Sequence, residues 1–159
     1  MSSQVKVASA GAAGIQRLFD EGVALHRQNR LAQAMAIYER ILRVAPGHAG
    51  AMHHLGIAAS QSGQHQAALG FLRSALALAP RVASIHLDLG NACKELGLYQ
   101  EALSHFQRAG DLDARLPNLH FNCGTVLQAL GRGAEALAAY DRALLANARD
   151  AECHNNRAV

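Results

Sequence analysis

Nine histidines and three cysteines in 159 residues are donors enough for a metal centre or for nucleophilic chemistry, so their spacing has to be weighed first. His86, His120 and His154 recur every 34 residues, which would stack them in one row on successive equivalent helices. Packed helices lie ~8–10 Å apart, whereas zinc needs ligands at ~2 Å in a tetrahedron. No cysteine pair or carboxylate recurs beside the row, so the expectation is no metal: the rings pack half-buried, each with a nitrogen reaching a polar neighbour. Cys93, Cys123 and Cys153 recur every 30 residues, one helical turn short of the histidine period. They form no CxxC pair and are odd in number, which argues against a disulfide framework and for reduced thiols acting as small buried hydrophobes. P-loop, HExxH, GxSxG and GxGxxG motifs are missing from the sequence and the carboxylates are scattered. Catalytic residues and cofactors are therefore expected to be none, and the chain is not expected to be an enzyme within these residues.

The elements that position these side chains follow from the same interval. A shift of 34 residues superposes Gly22, Gly56, Gly90 and Gly124, and likewise Ala34, Ala68, Ala102 and Ala136. Within each interval apolar residues recur at helical spacing, as in Leu18, Gly22, Leu25 and then Leu31, Ala34, Tyr38, Ile41, Leu42. Asn29, Gly63, Gly97 and Gly131 share one slot between the two runs. Asn and Gly tolerate the left-handed backbone that ends a helix, so the slot reads as the turn within an antiparallel helix pair. Pro46 and Pro80 close the first two pairs; Ala114 and Ala148 stand in the later closing slots, and blunter turns are expected there. The glycines are read as packing positions at which paired helices touch Ala68, Ala102 and Ala136. The organisation expected is a flexible lead-in over 1–14, helix pairs over 15–48, 49–82, 83–116 and 117–150, and the start of an incomplete fifth unit over 151–159. With half the residues hydrophobic but only four Phe, three Tyr and no Trp, the interior has to be built from Ala, Leu and Gly.

Charge and hydropathy narrow the function classes. A net charge of +3 with arginines spread evenly and no basic block speaks against nucleic-acid binding. No apolar run approaches the ~18 residues of a membrane span, and the first residues lack the apolar core of a signal peptide, so a cytoplasmic location without membrane association is expected.

A 34-residue helix pair with Gly at the eighth slot, Ala at the twentieth, Tyr38, Leu72, Phe106 or Tyr140 at the twenty-fourth and Pro at the thirty-second resembles the tetratricopeptide repeat. The resemblance covers residues 15–159 and implies an all-α solenoid of antiparallel helix pairs in a right-handed superhelix. The family's early Trp is replaced by Leu18, Met52, His86, His120 and His154. First helices in this family line a concave groove, which the resemblance places at Phe19, Val23, His53, His54, Ile57, Leu87, Asp88, Asn91, Phe121, Asn122, Thr125, Asn155 and Asn156, with Gln16 and Asp20 beside them. The Lys, Arg and Asn clamp by which some members hold a terminal carboxylate has no counterpart here. The strings HLDLGNACKELG, HFNCGTVLQALG and HNNRAV are similar to the repeats that precede the catalytic domain of O-linked N-acetylglucosamine transferases, whose groove asparagines hold an extended peptide by its backbone. What this implies is a scaffold for a protein or peptide ligand. The alternative is the substrate-recruiting arm of a larger glycosyltransferase or sulfotransferase-like enzyme, and self-association through the C-terminal end is a further expectation.

Overall fold

The 34-residue interval resolves into helices joined by short turns. The computed structural model describes residues 11–155, and in the last helix the side chains as far as Ala146. The helices pair as α1 (Ala12–Arg27) with α2 (Leu31–Val44), α3 (Ala49–Gln61) with α4 (His65–Leu78), α5 (Ala83–Glu95) with α6 (Tyr99–Leu112), and α7 (Leu119–Ala129) with α8 (Gly133–Asn155). No strand forms among the described residues. Contacts gather the chain into two compact units, one ending at Pro80 and one beginning at Arg81, each holding two helix pairs.

The turn slot behaves as its chemistry requires. Asn29, Gly63, Gly97 and Gly131 have φ of 59°, 77°, 73° and 72°. In each case the next residue's N–H, from Arg30, Gln64, Leu98 or Arg132, donates to the carbonyl five residues back, at Leu25, Ala59, Cys93 or Leu127, over 2.9–3.0 Å. This six-to-one bond satisfies a carbonyl that the end of the helix would leave orphaned, and it folds the chain back within three residues.

Packing within a pair brings a larger neighbour over each glycine than the alanine expected from sequence. A Cβ placed on Gly22, Gly56, Gly90 or Gly124 would come within 3.0 Å of Tyr38, Leu72, Phe106 or Tyr140 respectively. The side chain at the twenty-fourth slot thus fills the space above the glycine. The alanine of the twentieth slot lies close behind at Gly56, where the Ala68 carbonyl is 3.4 Å from where the Cβ would stand. In the first unit Ala34, Tyr38, Ile41, Ala51 and Leu55 form a buried cluster flanked by Leu18, Phe19 and Leu25. In the second, Ile85, Leu89, Cys93, Phe106, Leu119 and Val126 are buried.

Two departures from strict repetition fall where Ala114 and Ala148 hold the slot that proline fills in the first two units. The connection between α6 and α7 takes residues 113–118, with Asn118 left-handed at φ 60°, so α7 starts at Leu119, two residues after the frame's 117. The frame's boundary after Asp150 falls inside α8, which runs unbroken through Ala148 to Asn155. No helix among the described residues is long and apolar enough to cross a membrane.

Candidate functional site

In the first unit α1 and α3, the first helices of two successive repeats, lie side by side. Between them opens a cleft of about 580 Å³ lined by Val23, His26, Arg27, Asn29, His54, Ile57 and Gln61. Its walls combine the apolar Val23 and Ile57 with donors from Arg27, Asn29 and Gln61, and no carboxylate is among the lining residues. His26 Nε2–H donates to Gln61 Oε1 at 2.8 Å, which ties the two helices across the cleft. That bond leaves His26 Nδ1 as the ring's acceptor, and Nδ1 is buried with no hydrogen-bond partner.

Under the cleft lies a cluster of rings. His54 stands edge-on to Phe19 at 5.2 Å and to His26 at 6.0 Å, and tilted against Tyr38 at 5.6 Å. Phe19 also meets His48 at 5.2 Å. His48 is fixed in turn because its Nδ1 accepts the Ala51 N–H at 2.9 Å and so caps α3. Tyr38 is wholly buried and its hydroxyl has no hydrogen-bond partner; burial pushes the phenol up to about 12. The cleft therefore sits on a stiff aromatic floor.

Of the residues expected here from sequence, Val23, His54 and Ile57 line the cleft. Phe19 packs in the floor, and His53 stands beside His54 at 5.8 Å without lining the cavity. Gln16 and Asp20 are exposed and bonded to each other at 2.9 Å. His26, Arg27 and Gln61 were not among the expected site residues; they lie three or four residues beyond Val23 or Ile57, toward the ends of α1 and α3, and Asn29 enters the lining from the left-handed turn after α1.

The second unit brings Asn91 and Asn122 together. Asn122 Nδ2 donates to Asn91 Oδ1 at 2.9 Å, and Lys94 Nζ donates to Asn122 Oδ1 at 3.4 Å. Two carboxamides expected to face a ligand independently thus bond each other across α5 and α7. Leu87 and Asp88 are half-buried nearby on α5, and Phe121 is exposed against the Tyr140 ring at 5.6 Å. Thr125 Oγ1 donates to its own helix at the Phe121 carbonyl, 3.1 Å away. Asn155 ends α8 with its side chain outside the described set, and Asn156 lies outside the described residues. Cys93 is buried and Cys123 half-buried, and neither is in a disulfide; burial pushes Cys123 up to about 11, partly offset by Arg142.

Models of the "Tetratricopeptide repeat" match residues 15–48, 48–84 and 123–159, and a "TPR repeat" model matches 90–131. Between them only residues 85–89 of the span 15–159 are left unmatched. The chain belongs to the tetratricopeptide-repeat family. A comparison with curated proteins returns no match. Among solved structures, "Crystal structure of MamA" is similar with a TM-score of 0.80 at 20% identity, covering 92% of this chain and 86% of that one. The "MamA RS-1 ArsTM double mutant" follows at 0.79 and 21%, covering 90% and 80%. A MamA chain from Desulfovibrio magneticus RS-1 stands at 0.78 and 21%, covering 85% and 76%. At such identity the likeness is one of fold. Membership of the tetratricopeptide-repeat family supports the coarse reading of this chain as a protein-interaction scaffold.

Proposed function

We propose that the tetratricopeptide cleft between α1 and α3 takes up an extended segment of a partner protein, with one apolar side chain seated between Val23 and Ile57. The observation that carries this reading is the cleft itself. Its volume of about 580 Å³ falls within the range of ligand sites. Arg27, Asn29 and Gln61 offer donors to peptide carbonyls, and the His26 and His54 rings complete the wall. An extended strand advances ~3.3 Å per residue, so about three residues bridge helices ~8–10 Å apart. Arg27 without an opposing carboxylate in the wall favours an acidic residue next to the apolar one. In the second unit, taken by itself, Asn91 Nδ2 is a donor available to a ligand, the Asn91 oxygen being engaged by Asn122.

The test is titration of fluorescent peptides carrying apolar–acidic pairs against the native chain, Ile57→Asp and Arg27→Gln. Losing the burial of one aliphatic side chain removes ~1.5–3 kcal/mol, so Ile57→Asp weakens binding by about tenfold or more. Arg27→Gln lowers affinity for the acidic peptides and flattens its salt dependence. Equal affinities across the three proteins, with unchanged melting, would remove the cleft from consideration.

A further inference from the structure

We propose that Cys93, Glu101 and His105 form a binding site for a borderline-soft divalent cation, best matched by Zn²⁺, inside the α5–α6 helix pair. One donor atom from each of the three residues lies within 4.8 Å of the other two. The fold makes this juxtaposition. Gly97 turns the chain so tightly that the last turn of α5, carrying Cys93, faces the first turns of α6, where Glu101 and His105 stand four residues apart on one face. The left-handed turn is pinned by Leu98 N–H donating to the Cys93 carbonyl at 2.9 Å, so the backbone under the thiol is fixed before any ion arrives.

The geometry favours ligation. His105 Nε2 and Glu101 Oε1 are 3.8 Å apart, too far for a hydrogen bond. Two ligands of one tetrahedral zinc at ~2.0–2.2 Å would stand ~3.3–3.5 Å from each other, so a few tenths of an ångström of side-chain adjustment brings His105 and Glu101 to ligating separation, and the Cys93 sulfur within 4.8 Å of both closes in by side-chain rotation. The other ring nitrogen already has its partner: His105 Nδ1 lies 3.2 Å from Nδ1 of His86, which is only 8% exposed. With His105 donating Nδ1–H to His86, its Nε2 lone pair is directed at the carboxylate side, as in sites where an outer residue fixes the tautomer of a ligating histidine. His86 is therefore a positioning residue.

The donor set selects the ion. A thiolate and an imidazole suit zinc and disfavour Mg²⁺ and Ca²⁺, which take oxygen ligands. On binding, the Cys93 thiol gives its proton to solvent, and thiolate plus carboxylate cancel the two charges of the ion beside an apolar core. Cys93 closes the inner side, while the His105 and Glu101 side chains are 18% and 37% exposed and leave a fourth position for water. The 34-residue spacing compares equivalent positions of successive repeats, whereas this cluster lies within one helix pair; for that reason the sequence spacing does not reveal it.

Co²⁺ replaces Zn²⁺ as the probe, because thiolate ligation gives a charge-transfer band and tetrahedral geometry gives intense visible bands. The full chain, purified with chelator and then titrated, is expected to bind one equivalent with both signatures and to melt at a higher temperature with Zn²⁺. Cys93→Ser loses the charge-transfer band, and His105→Gln, a half-buried position that leaves the core intact, loses the visible bands and the thermal shift. His86→Gln keeps the spectrum but weakens affinity ~10–100-fold, and His120→Gln, outside the cluster, changes nothing. Absent bands in the native chain, or bands and thermal shift that survive His105→Gln, would overturn the site.

Discussion

Replacing a single hydrogen by a methyl group at Gly90 and at Gly70 should move stability in opposite directions. Both glycines lie inside helices, Gly90 in α5 and Gly70 in α4. Exchange of a helical glycine for alanine gains ~0.8–1.0 kcal/mol from backbone propensity alone. At Gly70 a Cβ meets nothing within 4 Å, so Gly70→Ala should collect that gain whole. At Gly90 the Cβ would fall within 3.0 Å of three atoms of the Phe106 ring, which is itself fully buried. Forcing extra carbon into a packed core costs ~1–3 kcal/mol, so Gly90→Ala should lose up to ~2 kcal/mol net. The two sites then differ by ~1–3 kcal/mol, or several degrees at ~2–4 °C per kcal/mol for a domain of this size. Urea denaturation followed by far-UV circular dichroism reads both variants on one scale. Phe106→Leu, which installs the residue already present as Leu72 in the equivalent slot, should recover part of the Gly90→Ala loss. Gly90→Ala stabilising as much as Gly70→Ala would refute the glycine-to-ring packing.

The Tyr38 phenol, held up to about 12 by burial, is protonated in the folded state over a range where the unfolded phenol, near 10, has ionised. Its contribution is complete below pH 10 and is lost as pH rises from about 10 to about 12; Tyr38→Phe should abolish that alkaline loss. Because the Tyr38 hydroxyl is buried without a partner, Tyr38→Phe should also be neutral or stabilising by up to ~1 kcal/mol at neutral pH, measured by denaturant unfolding. Gly97→Ala forces a side chain onto φ 73° and should cost ~1–2 kcal/mol in the same assay, although nothing crowds the position. Cys123, its thiol pushed up to about 11, should alkylate with iodoacetamide at pH 8 far more slowly than in urea; equal rates would contradict its burial.

The helix pairs and their turns were readable because they rest on backbone chirality. Asn29, Gly63, Gly97 and Gly131 occupy one slot four times over, and only such residues enter the left-handed region without strain. Side-chain direction was less readable. Gly56, Gly90 and Gly124 were expected to touch alanines, and Ala68 does lie against Gly56, but the nearest neighbour is the large residue one turn further on, which leans back over the glycine as long side chains on a helix do. The cleft was half legible: Val23, His54 and Ile57 followed from the family pattern, but nothing in spacing shows that the cavity opens toward the C-terminal ends of α1 and α3 and so takes in His26, Arg27 and Gln61. The Asn91–Asn122 bond joins residues 31 apart, one turn off the 34-residue register, and repeat alignment alone does not pair them. Missing prolines marked the altered connections after α6 and in α8, although not their form.

Each buried glycine and the bulky residue seated over it belong to the same repeat: Gly22 with Tyr38, Gly56 with Leu72, Gly90 with Phe106, Gly124 with Tyr140. A fit kept inside one repeat travels with any segment of DNA that encodes it. Duplicating such a segment copies bump and hollow together, and excising one leaves neither behind without its mate. Between copies, drift of the bulky member is tolerated so long as the glycine stays, and Tyr, Leu and Phe share one slot over an unvarying glycine. Had the bulky residue reached into the next repeat's glycine instead, every insertion or loss would have created a mismatch at its seam. An array locked in this way can change its length by whole cassettes.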